Sequence, residues 1–491
     1  MRSFQNPMPN LLIEATAGSG KTTTLVNSLI YMKTKYPDQI QATEEQRDIF
    51  NWCVANLPPE GKVGYFSFSK QIQTTLEKRI LKGAKAYTFH GYGQSVLIKR
   101  HGYQKLDNKR GANLVSEITG RPLIKSPDRA KWYSVLKYIE KLKLEYRYPT
   151  VENMMYVKEK YADLAEIPLL TGMPEMAVKL FELMRIPNGH IEFIDMAWLG
   201  AQYIDRPEFD IGFVDECQDL SVLFYTIVNK ACKNIVFCGD PNQAIMQFAG
   251  AHATMFDDLR KDIPNQKPLK VTFRCPPNIC KLANQIRPTA KMRSNKTEPG
   301  PELRMSKTQL ITELTAGRIP AYGTGIICRT NAPLFATAFI LLKNKVPTHM
   351  IGSDILNRLE FMAKMIKANT IQEFLNKLED YEDKLEDVSE TARISLQDQL
   401  DCLRLVATEC AQVSEIIPTI KQLFETTSSA SVHLSSVHRS KGLEWPTVAV
   451  LNPPIPHPRG LEDPIQREQE YNLDFVGVTR TKNTLIWTPD E

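Results

Sequence analysis

Leu11-Leu12-Ile13-Glu14-Ala15-Thr16-Ala17-Gly18-Ser19-Gly20-Lys21-Thr22-Thr23 is the stretch on which the fold turns. Three apolar residues read as a buried parallel strand, a Gly-containing turn follows, and Thr23 to Met32 suits a helix. Strand, turn, Lys-Thr and helix together place backbone N–H groups and a helix N-terminus around phosphate oxygens. The pattern is Ala15-x-x-Gly18-x-Gly20-Lys21-Thr22, with Ala where the strict P-loop begins with Gly. Ala15, Thr16, Ala17, Gly18, Ser19, Gly20 and Thr23 are the predicted nucleotide cradle. Lys21 would neutralise the β- and γ-phosphates and the Thr22 hydroxyl would ligate Mg²⁺, so ATP and Mg²⁺ are the cofactors called for.

A second acidic site supports this reading. Val214-Asp215-Glu216-Cys217-Gln218-Asp219 follows an apolar run, so two carboxylates stand where a second nucleotide-binding strand would end. Asp215 can hold Mg²⁺, and Glu216 can orient or deprotonate the attacking water. Further apolar runs at 63–68, 209–214 and 235–238, separated by helix-compatible segments, read as strands of one parallel sheet. Candidate strands at 269–272, 325–328, 432–435, 447–451 and 484–487 make a second α/β domain.

The 491 residues suggest about three domains at roughly 150 residues each. A 42% hydrophobic content and a net charge of +5 exclude a disordered chain. No run approaches the ~18 apolar residues of a membrane span and the first residues lack a signal-peptide core, so a soluble intracellular protein is expected. Nine cysteines without Cys-x-x-Cys spacing argue against a disulfide framework or structural zinc. The mild net charge averages opposites. Residues 99–147 carry thirteen Lys/Arg against five Asp/Glu, a net of +8, whereas 371–390 carry eight acids and two lysines, a net of −6 that reads as a solvated helical insert.

Asp215-Glu216-Cys217-Gln218-Asp219 resembles the Walker B box of superfamily 1 helicases of the UvrD/Rep type, and further boxes follow in family order. Ser67-Phe68-Ser69 and Thr88-Phe89-His90-Gly91 resemble the early DNA-contacting motifs, and Gly239-Asp240-Pro241-Asn242-Gln243 the third. Thr272-Phe273-Arg274 and Cys328-Arg329-Thr330-Asn331 resemble the fourth and its companion. Ser436-Val437-His438-Arg439-Ser440-Lys441-Gly442-Leu443-Glu444-Trp445 is similar to the fifth, and Val476-Gly477-Val478-Thr479-Arg480, preceded by Glu470, to the sixth.

The resemblance implies an α/β fold of two RecA-like P-loop domains, each interrupted by a mainly helical insert, with ATP in the cleft between them. Residues 1–95 and 205–262 would form the first domain, and 96–204 its basic, DNA-facing insert. The second would comprise 263–354 and 431–491, with 355–430 as a reduced acidic insert. Lys21, Asp215, Glu216 and Gln243, the γ-phosphate sensor, would be catalytic with the arginine fingers Arg274 and Arg480. Phe273 would stack on adenine, Glu444 would bind the ribose, and Gly442 would line the nucleotide. Gln5 lies only 16 residues before Lys21, close for the family's adenine-recognition Gln. Phe68, Thr88, His90, Phe248, Arg329, Asn331, Ser436 and His438 would contact nucleic acid. Around Phe248 the family's Tyr-x-Trp-Arg-Gly is replaced by Met246-Gln247-Phe248-Ala249-Gly250, which predicts weaker base stacking.

The implied activity is an ATP-dependent DNA helicase translocating 3′–5′ on single-stranded DNA and acting at single-strand/duplex junctions. The expected protein is a monomer without membrane association, cytoplasmic or, in a eukaryote, nuclear, with replication, recombination or repair proteins as partners. Met350-Ile351-Gly352-Ser353-Asp354 is a weaker family match opening the second insert, and only eleven residues follow Arg480, so no trailing nuclease domain is expected. Two alternatives stay open: a single-strand translocase that displaces proteins and needs a partner to unwind, and a non-catalytic ATP-switched binding module.

Overall fold

The computed structural model describes residues 10–34, 41–68, 84–161, 164, 167–246, 254–382, 390–425, 431–453, 455–456 and 464–489. The chain divides into two compact units. One takes residues to Thr16 and Gly20–Lys270, and the other Ala17–Ser19 with Val271–Glu491.

The first unit is built on a six-stranded sheet of β1 (Leu11–Ala15), β2 (Val63–Ser67), β3 (Ala84–Thr88), β4 (Phe209–Val214), β5 (Cys232–Gly239) and β6 (Asn265–Leu269). The order is β3-β2-β4-β5-β1-β6 and every pairing is parallel. The central strands are buried on both faces, which is why β1, β4 and β5 are near-continuous apolar runs. Register does the functional work: Glu14 lies opposite Gly239 and Val214 opposite Phe237, so the turns after β1, β4 and β5 leave the sheet on one edge. Ligands of open parallel sheets bind at this carboxyl edge.

The second unit has its own parallel sheet: β7 (Glu302–Arg304), β8 (Thr324–Cys328), β9 (Thr348–Met350), β10 (Val432–Ser436), β11 (Trp445–Leu451) and β12 (Thr481–Thr488). Its order is β7-β12-β11-β8-β10-β9. The α/β class of two parallel sheets flanked by helices is the one the sequence predicts.

Three expectations need correction. A first domain ending at 262 is too short, because Asn265–Leu269 pairs with β1 and closes the first sheet at its edge. Only Val271–Thr272 of the expected strand 269–272 remains beyond it, paired with Arg293–Ser294. The stretch Asn-Gln-Lys-Pro-Leu hides its nature because an edge strand tolerates Lys and Pro where a central one does not. Second, the acidic stretch is not simply solvated. Helix Ile371–Glu382 buries Phe374 and Leu378, and helix Glu390–Thr408 buries Leu400 and Leu403, in one core with Ile326, Leu434 and Ile486 of the sheet. Third, the basic insert does not present all its charge to solvent. Arg110, Lys141 and Lys143 are buried among Trp132, Tyr138, Leu142 and Trp198, in a core continuous with Leu12 and Phe66 of the sheet.

The buried cations of that insert are held by acids. Arg110 Nη1 donates to Asp195 Oδ2 at 2.8 Å, and Lys143 Nζ lies 2.7 Å from Asp195 Oδ1. The other Arg110 bonds go to the carbonyls of Leu183, Met184 and Ile186. Among the described residues no helix is long and apolar enough to cross a membrane. Because Asp195 alone faces both cations and is fully buried, Asp195→Ala leaves the buried Arg110 without an acidic partner and Lys143 with only Glu192 at 3.4 Å. The expected cost is about 3–5 kcal/mol, seen in urea unfolding as an early transition of the first unit.

Candidate functional site

Three short polar segments converge at the carboxyl edge of the first sheet. After β1 the chain turns through Gly18 and Gly20, both left-handed at φ 69° and 78°, and enters the helix Lys21–Thr34. A Cβ on Gly18 would stand 2.4 Å from Arg274 Cβ and 2.7 Å from Thr272 Oγ1, so glycine is required for space as well as for φ. Lys21 and Thr22 open the helix, where unpaired N–H groups and the helix dipole favour an anion.

The Lys21 ammonium is nine-tenths buried and lies 3.3 Å from Glu216 Oε1. Burial pulls its pKa down, but the carboxylates of Glu216, Asp240 and Asp215 more than offset this, and the net shift is upward. Thr22 Oγ1 donates to Asp215 Oδ2 at 2.5 Å, and Tyr65 Oη donates to the same oxygen at 3.0 Å. Burial, then the adjacent Glu216 charge, raises Asp215 to about 6 against the pull of Thr22, Lys21 and Tyr65. A hydroxyl and a carboxylate facing each other form the hard-oxygen donor set that Mg²⁺ takes, so the residues present fit that ion.

Glu216 is held at φ 55° and ψ 43°, a left-handed conformation that costs a non-glycine residue roughly 1–3 kcal/mol. Gln218 fixes it: Nε2 donates to Glu216 Oε2 at 2.7 Å, while its Oε1 accepts the Asp240 N–H at 3.0 Å. Asp240 in turn accepts from Gln243 Nε2 at 2.6 Å. One amide thus ties the acids after β4 to the turn after β5. A Cβ on Gly239 would sit 2.5 Å from Gln218 Oε1, so that glycine admits the bridge.

In the second unit Arg274 and Arg480 meet at Thr479. Arg274 Nη1 donates to the Thr479 carbonyl at 3.1 Å, and Arg480 Nη2 to its hydroxyl at 3.2 Å. Arg480 is 1% exposed and also donates to the carbonyls of Val476 and Leu443. Glu444, expected on the ribose, holds Arg274 Nε at 2.7 Å and Lys482 Nζ at 2.9 Å. Phe273 keeps an exposed ring, as a stacking role requires, and its N–H donates to the Gly18 carbonyl. Gly442 is left-handed at φ 85° with open space where a Cβ would be.

The predicted nucleic-acid contacts fall into two groups. In the first unit Phe68 is 39% exposed and packs on Phe89 and Phe224 at ring-centroid distances of 4.8 and 5.8 Å. His90 stacks on Phe193 at 4.1 Å. Thr88 spends its side-chain oxygen capping the helix Phe89–His101 through the Gly91 N–H. In the second unit Arg329 grips Glu470 with two bonds, Asn331 and Ser436 each face Arg439, and His438 is half-buried. Phe248 and Gln5 lie outside the described residues.

Sequence reasoning missed Tyr65, Gln218 as the bridging group, Thr479, and Phe193, whose ring is 54% exposed and extends the Phe68–His90 platform. A Tyr inside the apolar run 63–68 was the one available signal, since a buried phenol needs a partner. Phe193 gives none, because it opens an otherwise apolar helix.

Two outcomes follow from this geometry. Tyr65→Phe deletes one hydrogen bond to a buried carboxylate and is expected to slow steady-state ATP hydrolysis roughly 10-fold while the melting temperature stays within a few degrees. Burial holds the His90 ring at about 4, and burial with Arg329, Arg439 and Lys441 holds His438 at about 3, so both are neutral in the folded protein. The unfolded chain takes up protons near 6.5 that the folded one refuses, so stability is full above that pH and falls as the pH drops towards 4. Melting curves at pH 7.5 and 5.5 should show a smaller drop for His90→Gln than for the wild type.

Comparison with known proteins places this geometry. The UvrD-like helicase C-terminal domain family matches residues 33–489. The chain is similar to the ATP-dependent DNA helicase HMI1, mitochondrial, of Saccharomyces cerevisiae, at 22% identity over 412 residues, covering 74% of this chain and 54% of that protein. It is 25% identical over 324 residues to the F-box DNA helicase 1 of Gallus gallus, covering 59% of this chain and 30% of the relative. With the ATP-dependent DNA helicase PcrA of Bacillus subtilis it shares 21% identity over 621 aligned positions, covering 97% of this chain and 80% of that one. The chain therefore spans about half of the yeast relative and under a third of the chicken one. Since the family match runs through nearly all of the chain and through both parallel-sheet units, the protein belongs to the UvrD-like helicases, the UvrD/Rep type of superfamily 1.

Proposed function

We propose that the chain is an ATP-dependent DNA helicase that translocates 3′–5′ on single-stranded DNA. The observation that carries this reading is the connected set at the carboxyl edge of the first sheet: Lys21 on Glu216, Thr22 on Asp215, and Gln243 on Asp240, joined by Gln218. Lys21 binds the β- and γ-phosphates of ATP. Mg²⁺, held by Thr22 and Asp215, would supply charge neutralisation on the phosphoryl oxygens. Glu216, fixed in its left-handed conformation, orients the attacking water and accepts its proton. Gln243 senses the γ-phosphate, and through Asp240 and Gln218 its position bears on Glu216. Arg274 and Arg480 stabilise the charge spread over the transferring phosphoryl group, the role worth ~10³–10⁵ in turnover where arginine fingers act.

The two sheet units are the two motor domains, with residues 96–204 and 355–430 inserted in them. Phe68, His90 and Phe193 in the first and Arg329, Asn331, Ser436 and His438 in the second contact the strand. Both histidines are neutral, so they contribute stacking and hydrogen bonds rather than charge. The 3′–5′ direction rests on the resemblance to the UvrD/Rep branch. One observation favours the second reading, a translocase that needs a partner to unwind: the second insert shares the core of its sheet and is small.

Unwinding assays on 3′-tailed and 5′-tailed DNA duplexes separate these readings. Strand separation only from the 3′ tail, lost about 10²–10³-fold in Lys21→Ala, is the expected result. Robust ATP hydrolysis without strand separation on either tail would favour the translocase.

A further inference from the structure

Arg439 stands in the turn between β10 and β11, and nothing in the proposed motor cycle uses it. Its guanidinium makes four hydrogen bonds. Nε donates to Asp354 Oδ1 at 3.0 Å and Nη2 to Asp354 Oδ2 at 2.5 Å, while Nη1 reaches Asn331 Oδ1 at 3.4 Å and Ser436 Oγ at 3.3 Å. Asn331 cannot turn away. Its Nδ2 donates to Asp398 Oδ2 at 2.5 Å and its N–H to Asp398 Oδ1 at 2.8 Å, so its carbonyl oxygen is aimed at Arg439.

The cradle is built for this side chain. Gly352 lies at φ 132°, and a Cβ there would stand 2.5 Å from Arg439 Nε and 2.6 Å from its Cδ. The stretch Met350-Ile351-Gly352-Ser353-Asp354 thus supplies both the opening and the counter-ion. The pair is also poised to exchange. Asp354 is 55% exposed against 24% for Arg439, so its carboxylate can leave for water while the guanidinium stays in place.

We propose that Arg439 is a phosphodiester-binding residue for single-stranded nucleic acid, occupied by Asp354 when no strand is bound. A guanidinium fork that fits a carboxylate with two bonds fits a phosphate in the same way. A partly exposed ion pair contributes little to stability, so an incoming backbone phosphate can displace the carboxylate. Displacement also releases the first turn of the helix Ser353–Met365, and so couples strand binding to the second insert. The inference rests on the single-strand motor reading.

The test is binding of fluorescein-labelled oligo(dT) by the full chain across a salt series. Asp354→Asn is expected to tighten binding 3–10-fold and to leave the ATPase rate without DNA unchanged. Arg439→Gln is expected to weaken binding by a similar factor and make the log K against log salt slope shallower by about 0.7, the value of one lost single-strand phosphate contact. The double variant should behave as Arg439→Gln alone. Unchanged or weaker binding by Asp354→Asn, with normal binding by the wild type, overturns this inference alone. A wild type that does not bind oligo(dT) overturns the motor reading and this inference with it.

Discussion

A lysine ammonium nine-tenths buried at the edge of a parallel sheet keeps its charge only if carboxylates surround it. Here Glu216 contacts Lys21 directly, and Asp240 and Asp215 add their fields. Those three acids come from the turns after β4 and β5, far in sequence from Lys21 after β1, and the register of the three strands brings them to one edge. The rest of the first unit follows from that demand. Glycines at 18 and 239 clear space, Gly20 takes a left-handed φ, Tyr65 and Thr22 donate to the crowded Asp215 carboxylate, and Gln218 holds Glu216 in a conformation it would not choose alone. Glu216 is thus the direct counter-ion of Lys21. An anion bound at Lys21 would compete with the Glu216 carboxylate for that cation.

The second unit solves the opposite problem, that of holding two guanidinium groups without spending them. Arg480 is satisfied mostly by backbone carbonyls and Arg274 by Glu444 and the Thr479 carbonyl. Carbonyl partners position an arginine while leaving its full charge available to an anion. Arg439 is gripped by the Asp354 carboxylate through two of its nitrogens, so exchange rather than simple addition describes its encounter with a phosphate.

Much of this was legible in the sequence, and the legible part has a common cause. Lys21, Thr22, Asp215, Glu216 and Gln243 are read from short motifs because phosphate chemistry demands particular side chains at fixed offsets from strand ends. The structure pairs Lys21 with Glu216 and Thr22 with Asp215, and links Gln243 to Glu216 through Asp240 and Gln218. What escaped depends on contacts between segments distant in sequence. Tyr65 meets Asp215 across 150 positions, and Phe193 meets His90 only because the basic insert folds back on the helix Phe89–His101. Edge strands escaped for another reason: Ala84–Thr88, Asn265–Leu269 and Glu302–Arg304 face water on one side and carry Lys, Pro or Glu in place of an apolar run. Charge counting also overreached, since Arg110, Lys141 and Lys143 of the basic insert are buried structural groups.

The central claim is that the acidic edge of the first sheet hydrolyses ATP under the control of a bound single strand. The most direct measurement is the steady-state ATPase rate of the full chain titrated with oligo(dT) in Mg²⁺ buffer. The account predicts a rate that rises at least about 10-fold to saturation, as expected when strand contacts complete a catalytic arrangement of this kind. A turnover that saturating oligo(dT) leaves unchanged would contradict it.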